Sequence, residues 1–370
     1  MSSRDKLRQV RRVVVKVGSQ LLADDPSTFA RIGGQIADLW DEGREVVLVT
    51  SGAIALGFPA LGLKERPKDL PSLQAAAAAG QSRLMARWSE ALEARSRGSA
   101  QVLLTHADLD ARKRYLNARS ALLRLLEAGL TPVVNENDTV SVEEIKLGDN
   151  DTLAAEVCGL VSADLVVLLT GADGLMTGDP RMDPEAVRVP VVEVLDERVR
   201  AMAGKPSHLG TGGMTTKLRA AEVARRHGAA TVIAPGMREG VLAAILRGDD
   251  VGTLVTPPSE SPQRARKRWI AHTLRPQGTL LVDEGAERAL RSNASLLFAG
   301  VREVKGHFSA GDCVEVARVE GGQVFARGLV TLSAGDARKV AGLRTAEAEA
   351  KLEVPLPDEL IHRDDLALLD

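Results

Sequence analysis

Along the first two-thirds of the chain, short apolar runs rich in β-branched residues alternate with longer segments of helical period. The runs cover residues 13–17, 46–49, 102–104, 132–134, 165–169 and 231–234, and most are followed at once by Gly, Ser, Thr or Asn. Their near-continuous apolar character predicts strands buried on both faces, as in a parallel sheet. Between them, residues 29–41, 73–96, 117–128, 151–161 and 215–227 carry helical patterns. This alternation predicts an α/β fold, a three-layer αβα sandwich around a mostly parallel sheet.

The rhythm breaks after Gly252-Thr253-Leu254-Val255, where Thr256-Pro257-Pro258-Ser259-Glu260-Ser261-Pro262 reads as a connector and residues 264–268 form a basic patch. From Gly278 the apolar runs shorten to 279–282, 314–318 and 323–330, separated by turns such as Gly321-Gly322. The expected organisation is therefore a first domain over 1–256, a linker over 257–277, a small β-rich domain over 278–354, and a loose tail over 355–370.

Composition narrows the function classes. With 48 basic and 50 acidic side chains in 370 residues, the formal charge is −2. A protein that tracks nucleic-acid backbones is usually far more basic. Residues 278–370 contain eleven basic and sixteen acidic side chains, which points the same way for the second domain. Cys158 and Cys313 stand far apart without a Cys-x-x-Cys pattern, which excludes a zinc-site spacing and fits a reducing compartment. The apolar run after the basic start stops at Gly18, too short for a membrane span or signal core. A soluble cytoplasmic protein is the expectation.

Five segments carry candidate chemistry. Lys16-Val17-Gly18-Ser19 closes the first strand, where ligands of open α/β sheets bind. Thr50-Ser51-Gly52-Ala53 closes the second, with small residues whose N–H groups suit an anion at a helix start. Asn135-Glu136-Asn137-Asp138 and Gly148-Asp149-Asn150-Asp151 concentrate short amides and acids suited to the amino group of a zwitterion, to a lysine or to hydrated magnesium. Leu209-Gly210-Thr211-Gly212-Gly213-Met214-Thr215-Thr216-Lys217 places glycines before a helix with a lysine in its first turn. It lacks the Walker A spacing yet suits nucleotide phosphates. Taken singly, the first two also fit an ordinary turn and helix cap, and the acidic pair fits solvated loops.

Together these segments resemble the amino-acid kinase superfamily, and within it the glutamate 5-kinase family, over essentially the whole chain. The most specific motifs are residues 15–19, 49–54, 134–138, 145–151 and 210–217; Asn117-Ala118-Arg119 and Arg266-Lys267-Arg268-Trp269-Ile270 match as well. The C-terminal segment resembles a PUA domain. The resemblance implies transfer of phosphoryl from ATP, with Mg²⁺ bound mainly through the nucleotide, to the γ-carboxylate of L-glutamate in proline biosynthesis. It implies Lys16 and Lys217 flanking the transferred group, with Asp151 holding both ammonium groups. It implies ATP contacts at Lys16, Gly18, Ser19, Thr170, Gly171, Thr211, Gly212, Gly213, Met214, Thr215, Thr216 and Lys217. Glutamate contacts would fall on Ser51, Gly52, Asp138, Asp149 and Asn150. Feedback inhibition by proline, a homo-oligomer, and delivery of the labile product to glutamate-5-semialdehyde dehydrogenase are also implied. The chain departs from the family at Thr170-Gly171, where Thr-Asp is usual, and at Met176, where an aromatic is common. Both departures concern the nucleoside end. Two rival readings stand beside this one: a kinase of the same fold acting on another acyl or phosphate acceptor, and an RNA-binding protein built on the C-terminal domain.

Overall fold

The computed structural model describes residues 2–140, 150–179, 182–204, 213–257, 267, 270–271 and 274–369, with the side chains of 112 and 113 left aside. The chain divides into two compact units, Met1–Ser261 and Pro262–Asp370.

In the first unit the strands are β1 (Arg12–Val17), β2 (Glu45–Thr50), β3 (Ser99–Leu104), β4 (Thr131–Glu136), β5 (Leu165–Thr170), β6 (Val191–Val192), β7 (Ala230–Pro235) and β8 (Thr253–Val255). Among the described residues they form one sheet in the order β3-β4-β2-β1-β5-β7-β8-β6. Pairing is parallel except between β7 and β8. The helices are α1 (Ser19–Asp24), α2 (Thr28–Asp41), α3 (Ala53–Gly57), α4 (Leu70–Glu93), α5 (His106–Asp110), α6 (Arg112–Glu127), α7 (Asn150–Leu160), α8 (Glu197–Met202), α9 (Met214–Arg226) and α10 (Val241–Leu246).

Strand periodicity sorts the core into two layers. Val13, Val15 and Val17 of β1 pack with Ile32 and Ile36 of α2 on one face. Val14 packs with Leu153 of α7 and Leu218 of α9 on the other. Because side chains alternate, Lys16 leaves the sheet on the α7/α9 side. The strand order also reverses at β1, since β2 lies on one side and β5 on the other. Ligand crevices in open α/β sheets form beyond the strand ends at such a switch point.

Two glycines set a close helix crossing near that crevice. A Cβ on Gly57 would fall 1.8 Å from the Ala76 carbonyl oxygen, and one on Gly80 would fall 1.8 Å from that of Ala53. Only glycine permits the approach, which presses α3 onto α4 and fixes the turn of α4 that follows.

The second unit holds β9 (Gly278–Val282), α11 (Glu284–Arg291), β10 (Val301–Gly306), β11 (Cys313–Arg318), β12 (Val324–Leu329), α12 (Ala334–Val340), α13 (Thr345–Leu352) and β13 (Leu366–Leu368). Its sheet runs β10-β9-β11-β12-β13 and encloses a separate core around Phe298, Val316 and Phe325. Within the segment expected as a linker, Ile270 and Ala271 pack with Cys313, Leu329 and Ala367. The loose tail expected over 355–370 is corrected: Leu360 and Ile361 are buried, and β13 pairs antiparallel with β12. The Pro and Asp residues around this short apolar stretch hid a strand whose partner lies far back in the sequence. No helix among the described residues is long and apolar enough to cross a membrane.

Candidate active site

Three charged side chains from three elements meet beyond the end of β1. Lys16 leaves β1, Asp151 stands in the first turn of α7, and Lys217 stands in the first turn of α9. Their exposures are 6%, 2% and 6%. The Lys217 ammonium donates to Asp151 Oδ2 at 3.0 Å, and the Lys16 ammonium lies 2.6 Å from Oδ1. The Lys16 contact is a buried ion pair. Burial alone would raise the Asp151 carboxyl, but the flanking charges of Lys16 and Lys217 win and hold it well below the usual carboxylate range. One carboxylate thus fixes two ammonium groups and leaves a net positive centre.

The supporting shell follows from helix physics. The positive end of the α7 dipole favours Asp151. At the other end of α7, the buried Arg119 donates to the Leu160 carbonyl at 2.8 Å and satisfies one of the open helix acceptors. Thr216 Oγ1 lies 3.0 Å from Asp151 Oδ2 and 2.9 Å from the Gly213 carbonyl, so one hydroxyl ties the carboxylate to the start of α9. Gly18, Gly52 and Gly213 precede α1, α3 and α9, and none of these starts has a side-chain cap. By contrast, Asp69 caps α4 and Asp196 caps α8. A Cβ on Gly18 would lie 3.6 Å from Lys16 Nζ, in the space an oxyanion beside that ammonium needs. Gly52 has φ +111°, a left-handed backbone that favours glycine. These uncapped N–H groups and paired lysines fit a polyphosphate. Among the described residues no three His, Cys, Asp or Glu side chains gather as a metal cage.

A second polar group continues from this centre toward the β3 edge. Asn150 Nδ2 lies 2.7 Å from the Thr50 carbonyl, 2.9 Å from Ser51 Oγ and 2.9 Å from Asn135 Oδ1. Asn135 Nδ2 in turn donates to Gln81 Oε1 of α4 at 2.8 Å. Trp88, fully buried on the same helix, donates from Nε1 to Thr50 Oγ1 at 2.9 Å and steadies the end of β2. Beyond Asn135 lies a cavity of about 290 Å³ lined by α4, β3 and residues 136–139. Asp138 lines it, and burial pushes its carboxyl up to about 6, against the opposing charge of Arg66.

The structure brings together Lys16, Gly18, Ser51, Asn150, Asp151, Thr216 and Lys217 through the contacts above. Ser19 opens α1, and its Cβ lies 4.0 Å from where a Gly52 Cβ would stand. Thr170 ends β5, its carbonyl accepting from the Gly236 N–H at 2.7 Å. Nothing lies within 4 Å of where a Gly171 Cβ would stand, so packing does not require glycine there. Met214 and Thr215 form the first turn of α9, and Thr215 is exposed. Asp149, Thr211 and Gly212 lie outside the described residues. Sequence reasoning missed Gln81, Asn135 as a functional side chain, and Thr50. Asn135 sat inside a motif already singled out, whereas Gln81 had no local signal.

The amino acid kinase family model matches residues 11–235, and the PUA domain model matches residues 278–352. A glutamate 5-kinase of Myxococcus xanthus is 50% identical over 100% of this chain and 99% of its own. A glutamate 5-kinase of Pelobacter propionicus is 46% identical over 99% and 100%, and one of Thermus thermophilus is 48% identical over 97% of each. A solved structure of isopentenyl phosphate kinase covers 66% of this chain and 100% of its own at 18% identity and a TM-score of 0.46; family membership rests on the sequence relatives instead. The chain belongs to the amino acid kinase family and, within it, to the glutamate 5-kinases.

Proposed function

We propose that this chain transfers the terminal phosphoryl group of ATP to the side-chain carboxylate of L-glutamate, giving ADP and L-glutamyl 5-phosphate. The observation that carries the reading is the buried Lys16–Asp151–Lys217 centre beside uncapped glycine helix starts. A carboxylate acceptor with an ordinary pKa of ~4.3 is already ionised near neutral pH, so no general base is required. The demand is to bring two anions together and to stabilise the charge spread over the transferring group.

Lys16 and Lys217 meet that demand as preorganised cations, and Asp151 keeps both in place without solvent reorganisation. The N–H groups after Gly18 and Gly213 cradle phosphate oxygens, with Ser19, Met214, Thr215 and Thr216 at the same helix starts. We assign Thr211 and Gly212 to that loop, and Thr170 and Gly171 to the nucleoside side. Mg²⁺ bound with the nucleotide would supply further charge neutralisation. Ser51, Gly52, Asp138, Asp149 and Asn150 take the amino acid. As the acceptor oxygen bonds to the γ-phosphorus, the bond to the β-phosphate bridging oxygen breaks and ADP leaves.

The wider setting follows from the product. An acyl phosphate hydrolyses readily, so a reductase such as glutamate-5-semialdehyde dehydrogenase is the proposed consumer, in a cytoplasm where the buried Cys158 and Cys313 form no disulfide. Proline, sharing the α-amino and α-carboxyl groups, is the proposed feedback ligand of the amino-acid end, and a homo-oligomer is the proposed assembly. The second unit gives little support to an RNA role: Arg288, Arg291, Arg302, Arg318 and Arg327 each pair with a carboxylate.

The test is ADP release with glutamate, aspartate, N-acetylglutamate and carbamate as acceptors, with hydroxylamine trapping of the acyl phosphate. Glutamate-dependent formation of γ-glutamyl hydroxamate is expected. ADP release only with another acceptor overturns the reading.

A further inference from the structure

The amides between the reacting centre and the β3 edge have one permitted orientation. The Thr50 carbonyl can only accept, so the Asn150 side chain must present Nδ2 to it, at 2.7 Å. The same nitrogen also faces Ser51 Oγ and Asn135 Oδ1, so its two N–H groups are shared among three acceptors and none is left over. Asn150 Oδ1 is left as a buried acceptor without a partner. Asn150 therefore offers a substrate an acceptor, suited to an ammonium group and unsuited to a carboxylate.

The polarity propagates along the chain of amides. Asn135 turns its oxygen to Asn150, so it turns its nitrogen to Gln81 Oε1. With Oε1 engaged, the Gln81 side chain has its Nε2 donor left over, and among the described residues nothing accepts from it. Gln81 lines the cavity shared with Asp138, whose carboxylate likewise accepts no hydrogen bond from a described residue. Among the described residues, one cavity thus holds a carboxylate and an amide donor that make no hydrogen bond, both partly exposed, with Ser82 and Gln101 on the same walls. Polar groups that face a cavity without a protein partner are available to orient a ligand there.

We propose that Gln81 is a specificity-determining residue: its Nε2 donates to the α-carboxylate of the amino-acid acceptor, while Asp138 and Asn150 Oδ1 receive the α-ammonium. The assignment rests on the glutamate-kinase reading and deepens it. Gln81 selects acceptors that carry an α-carboxylate, and Asp138 selects those that carry an α-ammonium. The side-chain carboxylate is left free to point at Lys16 and Lys217.

The decisive variant is Gln81→Glu, which keeps an oxygen for Asn135 Nδ2 and replaces the donor with a carboxylate. The readout is the preference for glutamate over 4-aminobutyrate, which lacks the α-carboxylate, and over glutarate, which lacks the ammonium. Each is measured as a substrate or as a competitor of labelled glutamate. The expected result is a loss of about 10–100-fold in the preference over 4-aminobutyrate, the size of a hydrogen bond to a charged group. The preference over glutarate and the KM for ATP stay within about 3-fold of wild type, within the scatter of uninvolved sites. Asp138→Asn gives the mirror pattern, losing preference over glutarate. Gln81→Leu, with thermal unfolding as the folding check, repeats the 4-aminobutyrate result without an added charge. If Q81E weakens glutamate and 4-aminobutyrate equally, Gln81 only supports Asn135 and the proposal is overturned. If the wild-type protein forms no acyl phosphate from glutamate, the glutamate-kinase reading falls and takes this assignment with it.

Discussion

The two ends of the site treat their polar groups in opposite ways. At the end of β1, Lys16, Asp151 and Lys217 are buried and matched to one another before any ligand arrives. At the β3 edge, Asp138 and the Gln81 donor face a cavity and Asn150 Oδ1 is a buried acceptor, and among the described residues none of the three has a hydrogen-bond partner. A self-completed cluster is rigid and already polarised for charge that grows during reaction. An incomplete cluster is completed by the ligand, so its energy goes into recognition. The difference predicts that substitutions at the first end lower kcat and those at the second raise KM.

The largest effect belongs to Asp151. Asp151→Asn leaves two buried ammonium groups facing each other without their counter-ion. Removing one partner from a buried ion pair costs about 3–5 kcal/mol of stability. The expected outcome is a fall in kcat of about 10³-fold or more, the scale of lost electrostatic preorganisation, together with a lower melting temperature. Stopped-time ADP assays and thermal unfolding check the two halves. Because polyphosphate supplies the missing negative charge, ATP should recover more stability in the variant than in wild type. Unchanged kcat would break the contrast between the two ends.

The lysines come next. Lys16→Met and Lys217→Met each leave Asp151 with one cation, so folding suffers less than in the aspartate variant. Each should lower kcat by about 10²–10³-fold, the cost of losing one preorganised stabiliser. The KM for glutamate should move by less than about 3-fold, since neither lysine sees the α-end. A variant whose KM rises while kcat holds would move that lysine to the recognition end.

Much of this layout was legible in the sequence, for identifiable reasons. The runs at 13–17, 46–49 and 165–169 are buried on both faces, so their apolar character is continuous and unmistakable. Gly213 and Lys217 stand out because a helix beginning with glycines and a lysine has few other uses. Gln81 was illegible: a glutamine on a helix is ordinary, and its meaning arises only when Gly57 and Gly80 press α3 onto α4 and Asn135 turns its amide. For Asn150 the sequence implied a glutamate contact without saying which amide atom makes it. Its restriction to an acceptor comes from the Thr50 carbonyl, which no local pattern encodes.

Asp138 gives the recognition end a pH signature. Its carboxyl is raised to about 6 chiefly by burial, so between its ordinary value and 6 the folded protein binds the extra proton. The group's contribution to stability is therefore full at low pH and is lost as pH rises toward 6. Relative to Asp138→Asn, the wild type should lose melting temperature across that window, and glutamate should restore it by pairing with the carboxylate. In kinetics the sign is reversed, because the ionised form receives the ammonium. The wild-type KM for glutamate should climb as pH falls below about 6, and the variant should be flat there with a KM about 10–100-fold higher at neutral pH.

The smallest effect is expected where neither end has a residue. Every side chain named at both ends lies in the unit Met1–Ser261, while Pro262–Asp370 closes its own sheet around its own core. A chain ending at Ser261 retains all the groups that act on phosphate and on the amino acid. Compact units with separate cores fold as units. The truncated chain should therefore stay folded, form γ-glutamyl phosphate, and keep kcat and both KM values within about 3-fold, the scatter expected of uninvolved positions. Steady-state assays and circular dichroism on the same sample check this. A rise in glutamate KM alone would place an influence of the second unit at the recognition end. A fall in kcat alone would place it at the lysines. A folded chain that binds nucleotide but shows no turnover at any glutamate or magnesium concentration would mean that the two ends described here are not the whole of the site.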